Sequence, residues 1–299
     1  MDIKKNRVFP RVAAIHDLSG FGRSSLTVVL PTLSKMGIQV CPLPTALLST
    51  QTSGFDNYYF LDLTESMKEI ISHWTALGIQ FSSVYTGFLG SSEQINLVSE
   101  FIENCRKSTS KEKILTLIDP VLGDDGEPYG PVDDKMIEGM RDLVRKADII
   151  TPNCTEAALL LNKPVKQRYS REEIKEYLIA LAEMGPQKIV ITSIPIQGRE
   201  CFNSTYFYDK DVSTFWKVEC ENLPVSYPGT GDMFASIIVG SLLKEVSFPE
   251  AVDRAVQVVF KALQETCQLN IPEREGVLIE TVLDALVDPL DISTYKVVN

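Results

Sequence analysis

From residue 11 to residue 193, short apolar runs alternate with amphipathic stretches, and turns rich in glycine, serine or proline separate them. Short β-branched and apolar runs read as buried strands, whereas apolar side chains recurring at a 3.6-residue period read as helix. Residues 11–16, 38–44, 83–88, 113–118, 147–151 and 188–193 are the predicted strands. Residues 26–36, 63–77, 93–105, 132–145 and 171–184 are the predicted helices, three of them closed by Gly37, Gly78 and Gly185. Strand–helix alternation of this length is satisfied by helices on both faces of a mostly parallel sheet, so the expected fold is an α/β three-layer α/β/α sandwich. Residues 199–208 and 213–220 alternate in polarity around Asp209-Lys210-Asp211 and read as a hairpin. Residues 250–264 and 278–286 read as further amphipathic helices. No linker, repeat or low-complexity segment interrupts the pattern. The 299 residues therefore suit a single domain, with residues 1–10 as an N-terminal tail.

Within that frame one stretch concentrates chemistry: Tyr227-Pro228-Gly229-Thr230-Gly231-Asp232-Met233-Phe234-Ala235. The apolar run that follows predicts a helix starting at or just before Asp232. The first N–H groups of a helix have no intrahelical acceptor and carry partial positive charge. Gly229 and Gly231 lack Cβ and let that backbone approach an anion. Such a cradle suits a phosphoryl group whose charge grows during transfer, and Asp232 stands where a carboxylate could take the proton of an attacking alcohol. The same residues also suit a simple turn with Asp232 as helix N-cap.

The formal charge of −11 disfavours a nucleic-acid surface, so any phosphate must be bound locally, by backbone dipoles and cations. The six cysteines form no C-x-x-C pair, which removes zinc and thioredoxin-like readings. Reduced thiols and the absence of an apolar signal core or a bilayer-length apolar run lead to a cytoplasmic expectation, with no membrane partner. Near the amino end, Asp17-Leu18-Ser19-Gly20-Phe21-Gly22 is a strand-to-helix loop with a Gly-x-Gly spacing but without the third glycine of a dinucleotide fingerprint.

Four segments together give the chain a family likeness: Asp119-Pro120-Val121-Leu122-Gly123-Asp124, Ile150-Thr151-Pro152-Asn153-Cys154-Thr155-Glu156-Ala157, Val190-Ile191-Thr192-Ser193 and Gly229-Thr230-Gly231-Asp232. In this order, at strand ends and helix starts, they resemble the pyridoxal kinase branch of the ribokinase-like family of small-molecule kinases. The likeness runs from about Val12 to Gly240. It implies ATP-dependent phosphorylation of the 5′-hydroxymethyl of a B6 vitamer. Asp232 would be the general base, and Gly229, Thr230 and Gly231 the anion hole. Thr192 and Ser193 would lie by the nucleotide phosphates, with Asp119 and Asp124 shaping the charged end of that site. Asn153 and Glu156 match an N-x-x-E motif that holds magnesium largely through water, with Asp119 offering a further oxygen. Asp119 and Thr151 would line a monovalent-cation site, such as one for potassium. A homodimer is also implied. Each assignment has a plainer counterpart: Asp119 as a turn opener, Thr192 and Ser193 as a strand end, and Asn153 with Glu156 as a reciprocal capping box. His16 lies beside the expected pocket and reads as a packed imidazole rather than a catalyst.

At the vitamer end, the resemblance places Ser19 of the first loop, Thr45 and Phe88. Phe88 stands where a tyrosine is common, and Asp17 where serine is usual. A carboxylate there would pair with the aminomethyl cation of pyridoxamine in preference to the aldehyde of pyridoxal; its plainer role is to cap the following turn. Residues 41–59 are the expected cover of the site. The rival readings are a hydroxymethylpyrimidine kinase, whose branch typically has cysteine at the position of Asp232, a sugar kinase, and a vitamer-binding protein without catalysis.

Overall fold

The computed structural model describes residues 9–108, 113–287 and 293–298. Residues 1–8 of the expected tail lie outside the described residues. In chain order the elements begin β1 (Arg11–Ser19), α1 (Leu26–Lys35), β2 (Gln39–Leu48), β3 (Phe60–Asp62), α2 (Thr64–Ala76), β4 (Ser83–Thr86) and α3 (Ser92–Ser108). They continue with β5 (Leu115–Ile118), β6 (Gly123–Asp124), β7 (Glu127–Pro128), α4 (Asp134–Val144), β8 (Ile149–Ile150), α5 (Cys154–Leu160) and α6 (Arg171–Met184). The last are β9 (Lys188–Ile194), β10 (Phe202–Asp209), β11 (Thr214–Glu221), α7 (Thr230–Leu243), α8 (Phe248–Gln268) and β12 (Lys296–Val297).

Among the described residues ten strands form one sheet in the order β12-β11-β10-β9-β8-β5-β4-β1-β2-β3, and β6 with β7 forms a separate two-stranded hairpin. Strands β2, β1, β4, β5, β8 and β9 run parallel, while β3 at one edge and β10, β11 and β12 at the other are antiparallel to their neighbours. Successive side chains of β1 divide between two cores. Ala13 and Ile15 join the face covered by α2 to α6, whereas Val12 and Ala14 join the face covered by α1, α7 and α8. This is the alternation a sheet buried on both faces requires, and the architecture is the ribokinase-like α/β/α sandwich. The chain leaves β1 for β2 on one side and then returns to β4 on the other, so the strand order reverses between β1 and β4. Crevices at such reversals, at the carboxyl ends of the strands, are where open α/β sheets bind ligands.

Several local boundaries differ from the expectations. β2 runs on to Leu48, past Pro42 and Pro44, because only its later residues, Ala46–Leu48, are paired with β3; a residue without N–H is tolerated where no second ladder needs it. The expected cover therefore shrinks to the segment after Leu48. Residues 278–286 do not form the expected α-helix: residues 279–282 make a turn and Leu283–Leu286 a 3₁₀ helix. Val277 N–H is donated to the Pro228 carbonyl at 3.0 Å and Leu278 N–H to the Thr266 hydroxyl at 2.9 Å. These bonds hold the backbone extended against α7 and α8. The hairpin β10–β11 and helix α6 follow the pattern read from sequence, α6 closing on Gly185.

Candidate active site

The strand ends of β5, β8 and β9 and the start of α7 converge on one open cavity of about 940 Å³. Its wall includes Asp119, Thr151, Thr192, Ser193 and the Gly229–Asp232 segment. Asp124, Asn153, Glu156 and Phe88 also lie on it. Asp17, Ser19 and Thr45 do not: all three are buried. The Thr45 hydroxyl is donated to the Phe88 carbonyl at 3.1 Å, so the residue fixes the strand end that presents Phe88.

Helix α7 begins at Thr230, with Gly229 as N-cap in the left-handed region at φ 86°. The first N–H bonded back along the chain is that of Met233, to the Gly229 carbonyl at 3.0 Å. Thr230, Gly231 and Asp232 precede it on the cavity wall. The two glycines serve different needs. A Cβ on Gly229 would lie 2.5 Å from the Arg23 carbonyl oxygen, whereas one on Gly231 would meet nothing nearer than Asp119 Oδ2 at 3.9 Å. Gly229 is demanded by the packing of the loop against Arg23, and Gly231 leaves open space at the helix start.

Asp232 keeps about 15% of its side chain accessible. Its Oδ2 accepts the Ser25 N–H at 2.7 Å, and its backbone carbonyl accepts the buried Tyr85 hydroxyl at 3.3 Å. Ser25, at φ 50° and ψ −130°, holds a backbone conformation that L-residues seldom adopt, of the kind retained where the surroundings enforce it. Its hydroxyl is donated to Asp17 Oδ1, and Ser19 donates to Asp17 Oδ2 at 3.2 Å. One residue thus bridges the buried carboxylate of β1 and the carboxylate of α7. Burial raises the Asp17 pKa, the Ser25 hydrogen bond opposing and the Asp232 charge reinforcing the shift.

The acidic side of the cavity is built from Asp119, Asp124 and Glu156. Asp119 Oδ1 accepts the Thr151 hydroxyl at 2.9 Å. Burial first, and the charge of Asp232 second, push its carboxyl up to about 7. Burial likewise raises the pKa of Glu156, with the Asp119 charge adding to it. The capping box expected as the plainer role of Asn153 and Glu156 is present: Asn153 Oδ1 accepts Glu156 N–H at 2.9 Å, and Glu156 Oε2 accepts Asn153 N–H at 2.8 Å. The Asn153 amide also donates to the Gly123 carbonyl at 2.9 Å, tying α5 to β6. Among the described residues no three His, Cys, Asp or Glu side chains converge to hold a metal by themselves. A cation here would therefore draw most of its ligands from water and phosphate.

Sequence reasoning missed the other end of the cavity. Leu223 and Val225 face it from the segment after β11, and Val256, Val259, Phe260 and Leu263 from α8. The rim carries Ser53 and Gly54 opposite Pro272, Glu273 and Arg274. Gln51 links the two sides by donating its side-chain amide to the Arg274 carbonyl at 2.8 Å.

A model of the phosphomethylpyrimidine kinase family matches residues 28–276. A Bacteroides thetaiotaomicron protein, provisionally named a phosphomethylpyrimidine kinase, is 45% identical over 99% of this chain and 100% of that chain, with a TM-score of 0.93; an orthorhombic form of it contains pyridoxal. The pyridoxal kinase of Lactobacillus plantarum is 31% identical, covering 93% of this chain and 96% of that one, with a TM-score of 0.84. The pyridoxal kinase of Arabidopsis thaliana is 28% identical over 254 residues, 83% of this chain and 78% of its own length. The chain belongs to the phosphomethylpyrimidine kinase family, small-molecule kinases built on the ribokinase-like fold. Within that superfamily its place is the pyridoxal kinase branch.

Proposed function

We propose that this protein, acting as a single kinase domain, transfers the γ-phosphoryl group of ATP to the 5′-hydroxymethyl of a B6 vitamer, with Asp232 as general base. The observation that carries this reading is the position of Asp232, a part-exposed carboxylate on the cavity wall in the first turn of α7. Asp232 takes the hydroxyl proton as the alcohol oxygen bonds to the γ-phosphorus. The bond from that phosphorus to the β,γ-bridging oxygen breaks, and ADP keeps the electron pair. The backbone N–H groups of Gly229, Thr230 and Gly231 receive the charge on the transferring oxygens. Thr192 and Ser193 flank the remaining phosphates, and the apolar pocket of α8 takes the base.

The donor set fits magnesium, a hard cation content with one or two carboxylates, water and phosphate. Asp119, Asn153 and Glu156 would hold it, mostly through water, beside Asp124. Magnesium supplies neutralisation of the phosphate charge that this acidic wall does not. Asp119 with Thr151 suits a potassium ion on the same oxygen chemistry.

At the vitamer end Phe88 offers a ring face. Asp17 is buried off the cavity wall and held by Ser19 and Ser25, so its preference for the aminomethyl cation of pyridoxamine would act through space across Ser25 rather than by direct contact. Measuring kcat/KM for pyridoxamine and pyridoxal in wild type and Asp17→Ser tests this, and an unchanged ratio would end it. Assembly as a homodimer is supported by the apolar edge at β3, where Tyr59, Phe60 and Leu61 are exposed; light scattering of the purified protein decides it. Residence in the cytoplasm rests on reduced cysteines, all six of which are free, and no helix among the described residues is long and apolar enough to cross a membrane.

A second reading, phosphorylation of hydroxymethylpyrimidine, is favoured by membership of a family named for kinases of a related pyrimidine, phosphomethylpyrimidine. ADP release measured with pyridoxal, pyridoxamine, pyridoxine and hydroxymethylpyrimidine separates the two. Turnover of the pyrimidine alone would establish the second, and vitamer binding without ADP release would leave a binding protein.

A further inference from the structure

His16 is buried on β1 beside the cavity. Among the described residues neither ring nitrogen has a hydrogen-bond partner. Leaving two polar atoms of one side chain unpaired in an interior is costly, so the surroundings should offer a reason. The ring packs edge-on against Tyr85, with centroids 4.4 Å apart at 74°, which satisfies its carbon edge only. The titratable groups around it are Tyr85 from β4, the adjacent Asp17 on β1 and Asp232 from α7. The Tyr85 hydroxyl is already directed at the Asp232 carbonyl, and Asp17 is taken by Ser19 and Ser25. What remains is Asp232 Oδ1, 3.5 Å from His16 Nδ1.

The space for the imidazole is reserved by Gly87. A Cβ there would lie 2.4 Å from His16 Nδ1 and 2.6 Å from Cε1. Gly87 is not in the left-handed region, so its lack of a side chain is needed for room rather than for backbone freedom.

We propose that His16 is a positioning residue for Asp232. Its Nδ1, 3.5 Å from Oδ1 in the resting chain, would donate to Oδ1 in the filled site while the Ser25 N–H holds Oδ2, so the carboxylate would be gripped from both sides. The carboxylate plane is then fixed, and the incoming hydroxyl meets a base that need not reorient. This inference rests on Asp232 being the base, and it adds a residue that no motif marks. A donor 3.5 Å away in the resting chain can shorten when the site fills, since catalytic hydrogen bonds commonly tighten in the substrate complex.

The test compares His16→Leu, His16→Asn, Gly87→Ala and Asp232→Asn, with steady-state turnover of ATP and the best vitamer and a thermal melt of each. The Asn amide nitrogen stands where Nδ1 was and can donate to Oδ1; Leu fills the space and cannot; Gly87→Ala leaves His16 in the chain but pushes its ring aside. Expected are a fall in kcat of about 10- to 100-fold for His16→Leu, the range of a lost hydrogen bond to a charged group, with both KM values little changed. Gly87→Ala should fall with it, and His16→Asn should recover to within a few-fold of wild type. Wild-type kcat in His16→Leu, or an Asn variant no faster than Leu, overturns the inference. Should His16→Leu not fold, the remaining pair decides: a fast Asn variant with a slow Gly87→Ala supports it, and any other combination overturns it. A slow Asp232→Asn with a normal His16→Leu rejects the role of His16 alone, whereas a normal Asp232→Asn rejects the base on which it depends.

Discussion

The two ends of the cavity are made differently. The phosphate end is backbone and short polar side chains: a helix start, strand ends and carboxylates delivered by contiguous motifs. The base end is a stripe of half-buried and buried apolar side chains on α8, with Leu223 and Val225 facing it. On the proposed function the first end would do chemistry and tolerate no displacement of a charge. The second would hold a ligand by contact area and tolerate exchange of one apolar group for another. The mutations that separate the two ends should therefore differ in which kinetic constant they move.

The largest effect belongs to the phosphate end. Asp232→Asn should lose kcat by about 10²–10⁴-fold, the usual contribution of a positioned base, while the KM values for ATP and vitamer stay near wild type. Steady-state kinetics check this. Turnover near wild type would remove the chemical distinction between the ends.

That end was legible before any coordinates because its residues are consecutive. Gly229, Thr230, Gly231 and Asp232 are neighbours in sequence, and Asn153 and Glu156 sit at capping-box spacing. The other end was not. Val256, Val259, Phe260 and Leu263 recur at i, i+3, i+4 and i+7, the same signal that any core-facing helix gives, and nothing in their spacing tells a ligand surface from a packed one. Ser25 was passed over, and His16 was placed beside the pocket but read as a packed imidazole, for a related reason. Their partner, Asp232, is more than two hundred positions away in the chain (|i−j| = 207 for Ser25), and only the return of α7 to the end of β1 brings them together. The short strands β3 and β12 carry too few residues to show an alternation. The failed helix at residues 278–286 had the right pattern but the wrong backbone partners.

The next largest effect divides the phosphate end itself. Gly229→Ala places a methyl 2.5 Å from the Arg23 carbonyl at φ 86°, and should cost about 1–3 kcal/mol of stability along with activity. Gly231→Ala meets no atom closer than 3.9 Å and should melt at or above the wild-type temperature, since Ala is favoured over Gly within a helix by about 1 kcal/mol. It should nevertheless slow turnover by roughly ten-fold, through a methyl in the space kept for phosphate. Melting curves and kcat on the pair check this. Equal destabilisation of both variants would mean that Gly231, too, is a packing glycine.

At the base end, Phe260→Ala should raise the KM for ATP by about ten-fold and leave kcat and the vitamer KM close to wild type, as expected for an aromatic side chain whose contact is equal in ground and transition states. Phe260→Leu should recover most of the loss. A fall in kcat at saturating ATP would show that the two ends are coupled and that the base pocket also sets the phosphate position.

The smallest effect is read in solution without turnover. Asp119 is pushed up to about 7 from the ordinary aspartate value of 3.8, chiefly by burial. Between those values the folded chain holds a proton that the unfolded chain has released, so stability falls as pH rises through that window and does not return above it. Magnesium, held there as proposed, would compete with that proton for the same oxygens and could relieve the repulsion only once the carboxyl is ionised. Adding magnesium chloride should therefore raise the melting temperature more at pH 8 than at pH 5.5, by about a few degrees, and Asp119→Asn should flatten that dependence. An equal shift at both pH values, or one retained in Asp119→Asn, would separate the cation from Asp119. The acidic end would then be a charged wall that meets its cation only through the nucleotide.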